Sequence, residues 1–295
     1  MPAVVMREVT KRFGDNVAVD SLSLDVAEGE VLGLLGPNGA GKTTTIRMLV
    51  DSIRPTSGRI EIFGRDAHRD AAGVHADLSW LPGDLAMFDR MTGAEHVEMV
   101  AAICGADTSP AAPLFERFGL DPTRPVGTLS RGNRQKVGLV LAFFRRPRVI
   151  VLDEPSSGLD PLMQREFHAL VHETVADGST VMVSSHQLDE VQHLVDRVAI
   201  LRAGRLVVVE NVDALRSRAV RHVELQFADP PDAAVFSDLS GVTVDHVDER
   251  AIELTVEGLM GELVAAAAAH GAIDIVSRPA DLDEVFLTYY GEGER

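Results

Sequence analysis

Apolar and polar residues alternate along the first thirty positions, in VVMREV and again in SLSLDV, which predicts antiparallel strands. The continuous apolar run VLGLLG that follows suits a strand buried on both faces, and strand signals recur at GRIEIFG. After Thr92 the period lengthens, so that AEHVEMVAAICG and PLFERFG predict helices, interrupted by Pro110, Pro113, Pro122 and Pro125. Apolar strands return at RVIVLDEP, STVMVSS and RVAILRAG, separated by the helical patterns PLMQREFHALVHETVADG and QLDEVQHLV. The order predicts an α/β fold: a mostly parallel sheet with crossover helices, an antiparallel β subdomain, and a helical insertion at about 84–147. From 222 onward HVELQF, VTVDHV, AIELTV, LVAAAAAHG, AIDIVS and DLDEVFLTYYG predict a separate small α+β domain, with LRSRAVRH as the joint. The expected domains are therefore 1–215 and 222–295.

A chain of 295 residues that is 45% hydrophobic has material for such a core and an accessory domain. No apolar run approaches the roughly 18 residues needed to cross a bilayer, and MPAVVMREVTKRF is not a signal peptide, so a soluble, cytoplasmic protein is expected. The one cysteine, Cys104, permits no internal disulfide, and its setting in VAAICGA predicts a small buried side chain. The net charge is −17, and it is unevenly spread: from His222 onward sixteen acidic residues face three basic ones, Arg250, Arg278 and Arg295. That surface repels nucleic acid and anionic lipid, and is read as a solvated face.

The chemistry begins at GPNGAGKTTT. Gly36, Gly41, Lys42 and Thr43 fill the pattern G-x-x-x-x-G-K-[ST], with Pro37, Asn38, Gly39 and Ala40 between them and Thr44 after. Glycines let successive backbone N–H groups turn inward on a triphosphate, and a helix starting near Lys42 adds the positive end of its dipole. Lys42 would neutralise β- and γ-phosphate oxygens of ATP, and the Thr43 hydroxyl would ligate Mg²⁺. In VIVLDEP an apolar strand delivers Asp153 and Glu154 at its carboxyl end, Asp153 to hold Mg²⁺ through water and Glu154 to polarise the attacking water. Acid pairs after strands also cap helices, so this reading depends on the phosphate loop beside it. His168 and His172 lie four apart, but no third ligand accompanies them and an exposed helix face accounts for both.

Between these elements LSRGNRQK places Ser130, Gly132 and Asn133 before an apolar helix. Here the sequence resembles an ATP-binding-cassette (ABC) ATPase, the nucleotide-binding subunit of ABC transporters, over about residues 3–215. LSRGN stands where that family has its signature, SSGLD from Ser156 to Asp160 resembles the D-loop, and His186 in SSHQLDEV resembles the switch histidine. Phe13, in KRFG, takes the place of the aromatic that stacks on adenine; core packing is its other reading. The resemblance implies a second copy packed head to tail. Ser130 and Gly132 of one chain would then reach the γ-phosphate held by Lys42 of the other, with Asp160 bridging the sites. One position departs from the pattern: where the family places a glutamine that touches Mg²⁺ and the membrane subunit, this chain has Gly83, leaving water or Asp84 to complete the metal shell.

LSRGN together with the acidic ending resembles the ATPases of bacterial drug and antibiotic exporters whose permease is a separate chain. That implies a peripheral location at the inner face of the plasma membrane, held there by the permease, which would insert a short helix near Met87, Phe88 and Met91. The same three residues would also serve as core. The alternative is an ABC-type ATPase acting on the ribosome or chromosome. Chromosome ATPases carry long heptad insertions between Lys42 and Asp153, which are lacking here, and ribosome-acting ones favour paired cassettes and basic surface.

Overall fold

The alternating start of the chain folds back on itself. Strands β1 (Pro2–Phe13) and β2 (Asn16–Ala27) pair antiparallel, with Phe13 opposite Asn16 at the tip of the hairpin. In this computed structural model, which describes residues 2–186, 192–218, 221–257 and 260–278, the buried strand β3 (Val31–Leu35) follows. Strands β4 (Ser57–Ile62) and β5 (Arg65–Asp66) then extend the hairpin into a sheet of order β2-β1-β4-β5. The period of two places Val4, Met6, Leu22, Leu24 and Val26 in one core cluster with Ile46, Met48 and Leu49.

A second sheet contains β6 (Leu78–Leu81), β7 (Val149–Asp153), β8 (Thr180–Ser185), β9 (Arg197–Arg202) and β10 (Arg205–Asn211), in the order β10-β9-β3-β8-β7-β6. The pairs β3–β9, β3–β8, β8–β7 and β7–β6 are all parallel. Every residue of β3, β7 and β8 is buried, which is why these strands read as unbroken apolar runs instead of alternating. Helices α1 (Lys42–Leu49), α2 (Ala71–Asp77) and, further on, α6 (Pro161–Ala176) belong to the crossovers.

The helical insertion holds α3 (Gly93–Cys104), α4 (Ala111–Arg117) and α5 (Arg131–Phe143). Thr92 and Glu95 form a reciprocal capping box at the start of α3, and Gly105 stops it with φ 66°. Cys104 is exposed, contrary to the buried setting that VAAICGA suggests. It is the last residue of α3 and faces an open groove beside Trp80, Leu85, Val100 and Leu141 instead of packed core. From α4, Arg117 grips α6: its guanidinium donates to both carboxylate oxygens of Glu173, at 2.6 and 2.9 Å, and to Glu166 at 3.1 Å.

Contacts divide the chain into two compact units, one ending at Val209 and one starting at Glu210. In the second, helices Val212–Arg218, Ala234–Ser237 and Gly261–Ala269 accompany β11 (Arg221–Phe227), β12 (Val242–Val247), β13 (Ala251–Val256) and β14 (Ala272–Arg278). The antiparallel sheet has the order β12-β13-β11-β14, the split β-α-β arrangement. Its covered face has its own core of Val223, Leu225, Phe227, Phe236, Ile252, Leu254 and Leu263. The first five residues of QLDEVQHLV and all of DLDEVFLTYYG lie outside the described residues, and Gln192–Leu194 form turns.

Candidate functional site

Because β3, β7 and β8 run parallel and adjacent, the loops leaving their carboxyl ends meet along one edge of the sheet. The loop after β3 is the phosphate-loop sequence. Gly41 has φ 104°, and a Cβ there would lie 2.7 Å from the carbonyl oxygen of Ala18, so neither conformation nor space admits another residue. Lys42 opens α1 with its side chain buried, its ammonium donating to the carbonyls of Gly36 at 2.7 Å and Pro37 at 3.3 Å. Its Nζ stands 3.7 Å from Glu154 Oε1. Burial pulls the lysine below its ordinary pKa, and the attraction of Glu154 and Asp153 opposes that shift.

Asp153 ends β7 fully buried, and its Oδ1 accepts from the Ser184 hydroxyl at 2.5 Å across the parallel pair. Glu154 is the next residue, held at φ 51°, a left-handed conformation that costs a non-glycine residue energy. Its N–H donates to the Ser184 carbonyl at 3.3 Å and to the Ser184 hydroxyl at 3.1 Å. Its Oε2 lies 2.8 Å from His186 Nδ1. Lysine, glutamate and histidine thus form one chain of contacts. Two residues that motif reading passed over support it: Ser184 on β8, and Gln135, buried on α5, whose amide donates to the carbonyls of Pro155 at 3.1 Å and Glu154 at 3.5 Å.

An open cleft of about 600 Å³ is lined by Phe13, Asn38, Gly39, Ala40, Gly41, Lys42, Thr43, Thr44 and Glu154, with Asn16 and Gly204 among its walls. Phe13 is half exposed at the hairpin tip, with the Lys11 ammonium 5.0 Å from its ring centre, which disposes of the core-packing reading. A flat ring at the mouth of a phosphate cleft suits stacking on a base. Thr43 and Asp153 offer hard oxygen donors, the chemistry that suits Mg²⁺. A Cβ at Gly83 would stand 3.3 Å from the Asp153 carbonyl oxygen and 3.5 Å from Oδ2, so that position does face the acid. Gly83 and the exposed Asp84 both line a separate cavity with Leu129, Arg131, Arg134 and Gln135. Among the described residues no group of three potential ligands gathers round His168 and His172 or elsewhere.

Ser130, Gly132 and Asn133 do not line the phosphate cleft of their own chain. Ser130 caps α5, its hydroxyl accepting from the Asn133 N–H at 3.3 Å, while Asp160 caps α6 and accepts from Leu162 and Met163 at 3.0 Å. Both caps are exposed. Phe88 is 61% exposed and stacks on buried His96, whose Nε2 accepts from the Phe88 N–H at 3.1 Å. Met87 and Met91 beside it are half-buried. Among the described residues no helix is long and apolar enough to cross a membrane.

The family model for ABC transporters matches residues 19–157. The daunorubicin resistance ATP-binding protein DrrA3 of Streptomyces coeruleorubidus is 36% identical over 99% of this chain and 97% of its own length. The bacitracin transport ATP-binding protein BcrA of Bacillus licheniformis is 34% identical, over 86% of this chain and 82% of its own. A solved ATP-binding subunit of an ABC transporter superposes with a TM-score of 0.69 at 26% identity, covering 72% of this chain and 92% of the other.

Proposed function

As the chain belongs to the ABC transporter ATP-binding proteins, and hydrolyses ATP as that family does, we propose that it powers export of a drug, antibiotic or lipid-like substrate through a separate permease. The observation that carries this reading is the contact chain Lys42–Glu154–His186, of which Lys42 and Glu154 line the phosphate cleft. It joins a phosphate-neutralising cation, a water-polarising carboxylate and a histidine able to hold or pass a proton. Near full-length likeness to a daunorubicin resistance protein and a bacitracin transport protein supports the substrate class.

Within one chain the reaction is incomplete. Lys42 and the backbone N–H groups of 38–44 bind and orient the γ-phosphate, Glu154 orients water, and the exposed Ser130 cap is left to serve a second copy facing it. Thr43 and Asp153 would hold Mg²⁺, which when bound neutralises phosphate charge. Burying ATP between two copies ties dimerisation to binding and separation to hydrolysis. The permease receives that motion through a short helix docked near Met87, Phe88 and Met91 and holds the protein at the inner face of the plasma membrane; the exposure of Phe88 supports this reading. The acidic domain from 222 onward, with its own core, serves regulation or assembly.

Deleting the gene in its host tests the reading, with sensitivity to daunorubicin and bacitracin measured and the deletion complemented by wild type or Lys42→Ala. Sensitisation reversed by wild type alone, with the protein in the membrane fraction, is the expected result. Unchanged sensitivity with the protein fractionating on ribosomes or chromosomal DNA would overturn it.

A further inference from the structure

The first turns of α5 face two ways. Ser130 is turned to solvent, whereas Gln135, five residues on, is buried against the segment that follows β7. Three contacts tie this helix start to residues 154–158: Gln135 Nε2 on the carbonyls of Pro155 and Glu154, Arg131 Nη2 on the Ser157 hydroxyl at 3.1 Å, and Gly132 against the Gly158 carbonyl. A Cβ at Gly132 would sit 2.4 Å from that oxygen, so the backbones approach as closely as glycine allows.

Glu154 needs such support. Its left-handed backbone is strained, and fixing the peptide groups on both sides keeps its carboxylate where Lys42 and His186 meet it. Ser184 fixes the N–H side from β8. On the carbonyl side Gln135 is the buried donor, reaching two successive carbonyl oxygens with one amide. Without it the Pro155 carbonyl would lose a buried donor, and on its carbonyl side the Glu154 turn would keep the Ser157 N–H, at 3.3 Å from the Glu154 oxygen.

We propose that Gln135 is a positioning residue for hydrolysis: its amide locks the Glu154 turn and thereby links the carboxylate's aim to the helix whose cap serves the second copy. This rests on the reading of Glu154 as the water-polarising carboxylate. Since a misplacement of about 1 Å costs on the order of 10²-fold, loss of the amide donor lowers kcat by about 10- to 100-fold and leaves nucleotide affinity nearly unchanged.

The test compares Gln135→Met, which keeps length without a donor, Gln135→Glu, which keeps shape but turns an acceptor toward two carbonyls, and Glu154→Gln. Steady-state and single-turnover ATPase, affinity for a fluorescent ATP analogue, and Tm are measured on each. Both Gln135 variants are expected to stay folded, bind the analogue as wild type does, and turn over slowly. Adding Gln135→Met to Glu154→Gln should cost no further rate, because the carboxylate it aims is already gone. Wild-type kcat in Gln135→Met, or a loss that multiplies fully with that of Glu154→Gln, would make the contact one of packing alone and overturn the proposal. Full turnover by Glu154→Gln itself would instead refute the reading of Glu154.

Discussion

His186 Nδ1 lies 2.8 Å from Glu154 Oε2, although the two residues are separated by a helix and a strand in sequence. The other oxygen of the same carboxylate faces Lys42 at 3.7 Å. One carboxylate thus stands between the Lys42 ammonium and the imidazole. Glu154→Gln is expected to bind ATP and remain as an ATP-bound dimer while hydrolysis falls by roughly 10²- to 10⁴-fold. Size-exclusion chromatography with ATP and a phosphate-release assay check this. His186→Ala should show the same split between binding and turnover, and normal turnover in either variant would contradict the assignment.

The exposed Ser130 cap, absent from its own chain's cleft, predicts complementation between copies. Mixing Ser130→Arg chains with Lys42→Ala chains gives heterodimers with one intact composite site and one doubly damaged site. ATPase activity is expected to return in the mixture. Its absence despite heterodimers proven by differential tagging would contradict independent composite sites.

Neither Gly83 nor Asp84 lines the phosphate cleft, but Gly83 faces Asp153. Gly83→Gln therefore should lower the Mg²⁺ concentration for half-maximal ATPase several-fold. Its amide oxygen replaces a mobile water near the acid, once the Cβ is accommodated by a shift of a few tenths of an ångström. Asp84→Ala is expected to leave the Mg²⁺ titration unchanged. A weakened metal dependence in Asp84→Ala would reassign the ligand.

The Arg117–Glu173 pair joins the helical insertion to α6, and its energy depends on pH. The guanidinium holds Glu173 below its ordinary value of 4.5, so the pair's stabilisation is fully present above pH 4.5 and is lost as pH falls through the lower folded-state value. Glu173 is largely exposed, which limits the gain to about 0.5–1 kcal/mol. Arg117→Ala should lower Tm by about 1 to 3 °C at pH 7. The difference from wild type should close as pH drops below 4.5 in thermal melts; a constant difference would assign it to packing.

What the sequence determined by itself is what short-range chemistry dictates. The spacing of Gly36, Gly39 and Gly41 marks a turn whose backbone, at φ 83° and 104° for the last two, disfavours side chains there, so the phosphate loop is legible as written. Strands buried on both faces announce themselves as VLGLL, VIVLD and TVMVSS, and their order with the intervening helices implies the parallel sheet. Tertiary structure alone decided the rest, because it depends on which strands become neighbours and where a helix ends. Ser184 reaches Asp153 only because β8 pairs with β7 in that register, a relation no local pattern contains. Gln135 reads as one polar residue in a polar helix start until the helix packs its amide against the Glu154 turn. Cys104 shows the converse: its apolar neighbours predict burial, yet α3 stops there and opens onto a groove. Sequence specifies the local conformation and the donors and acceptors available; only the packed fold removes water around some of them and chooses their partners.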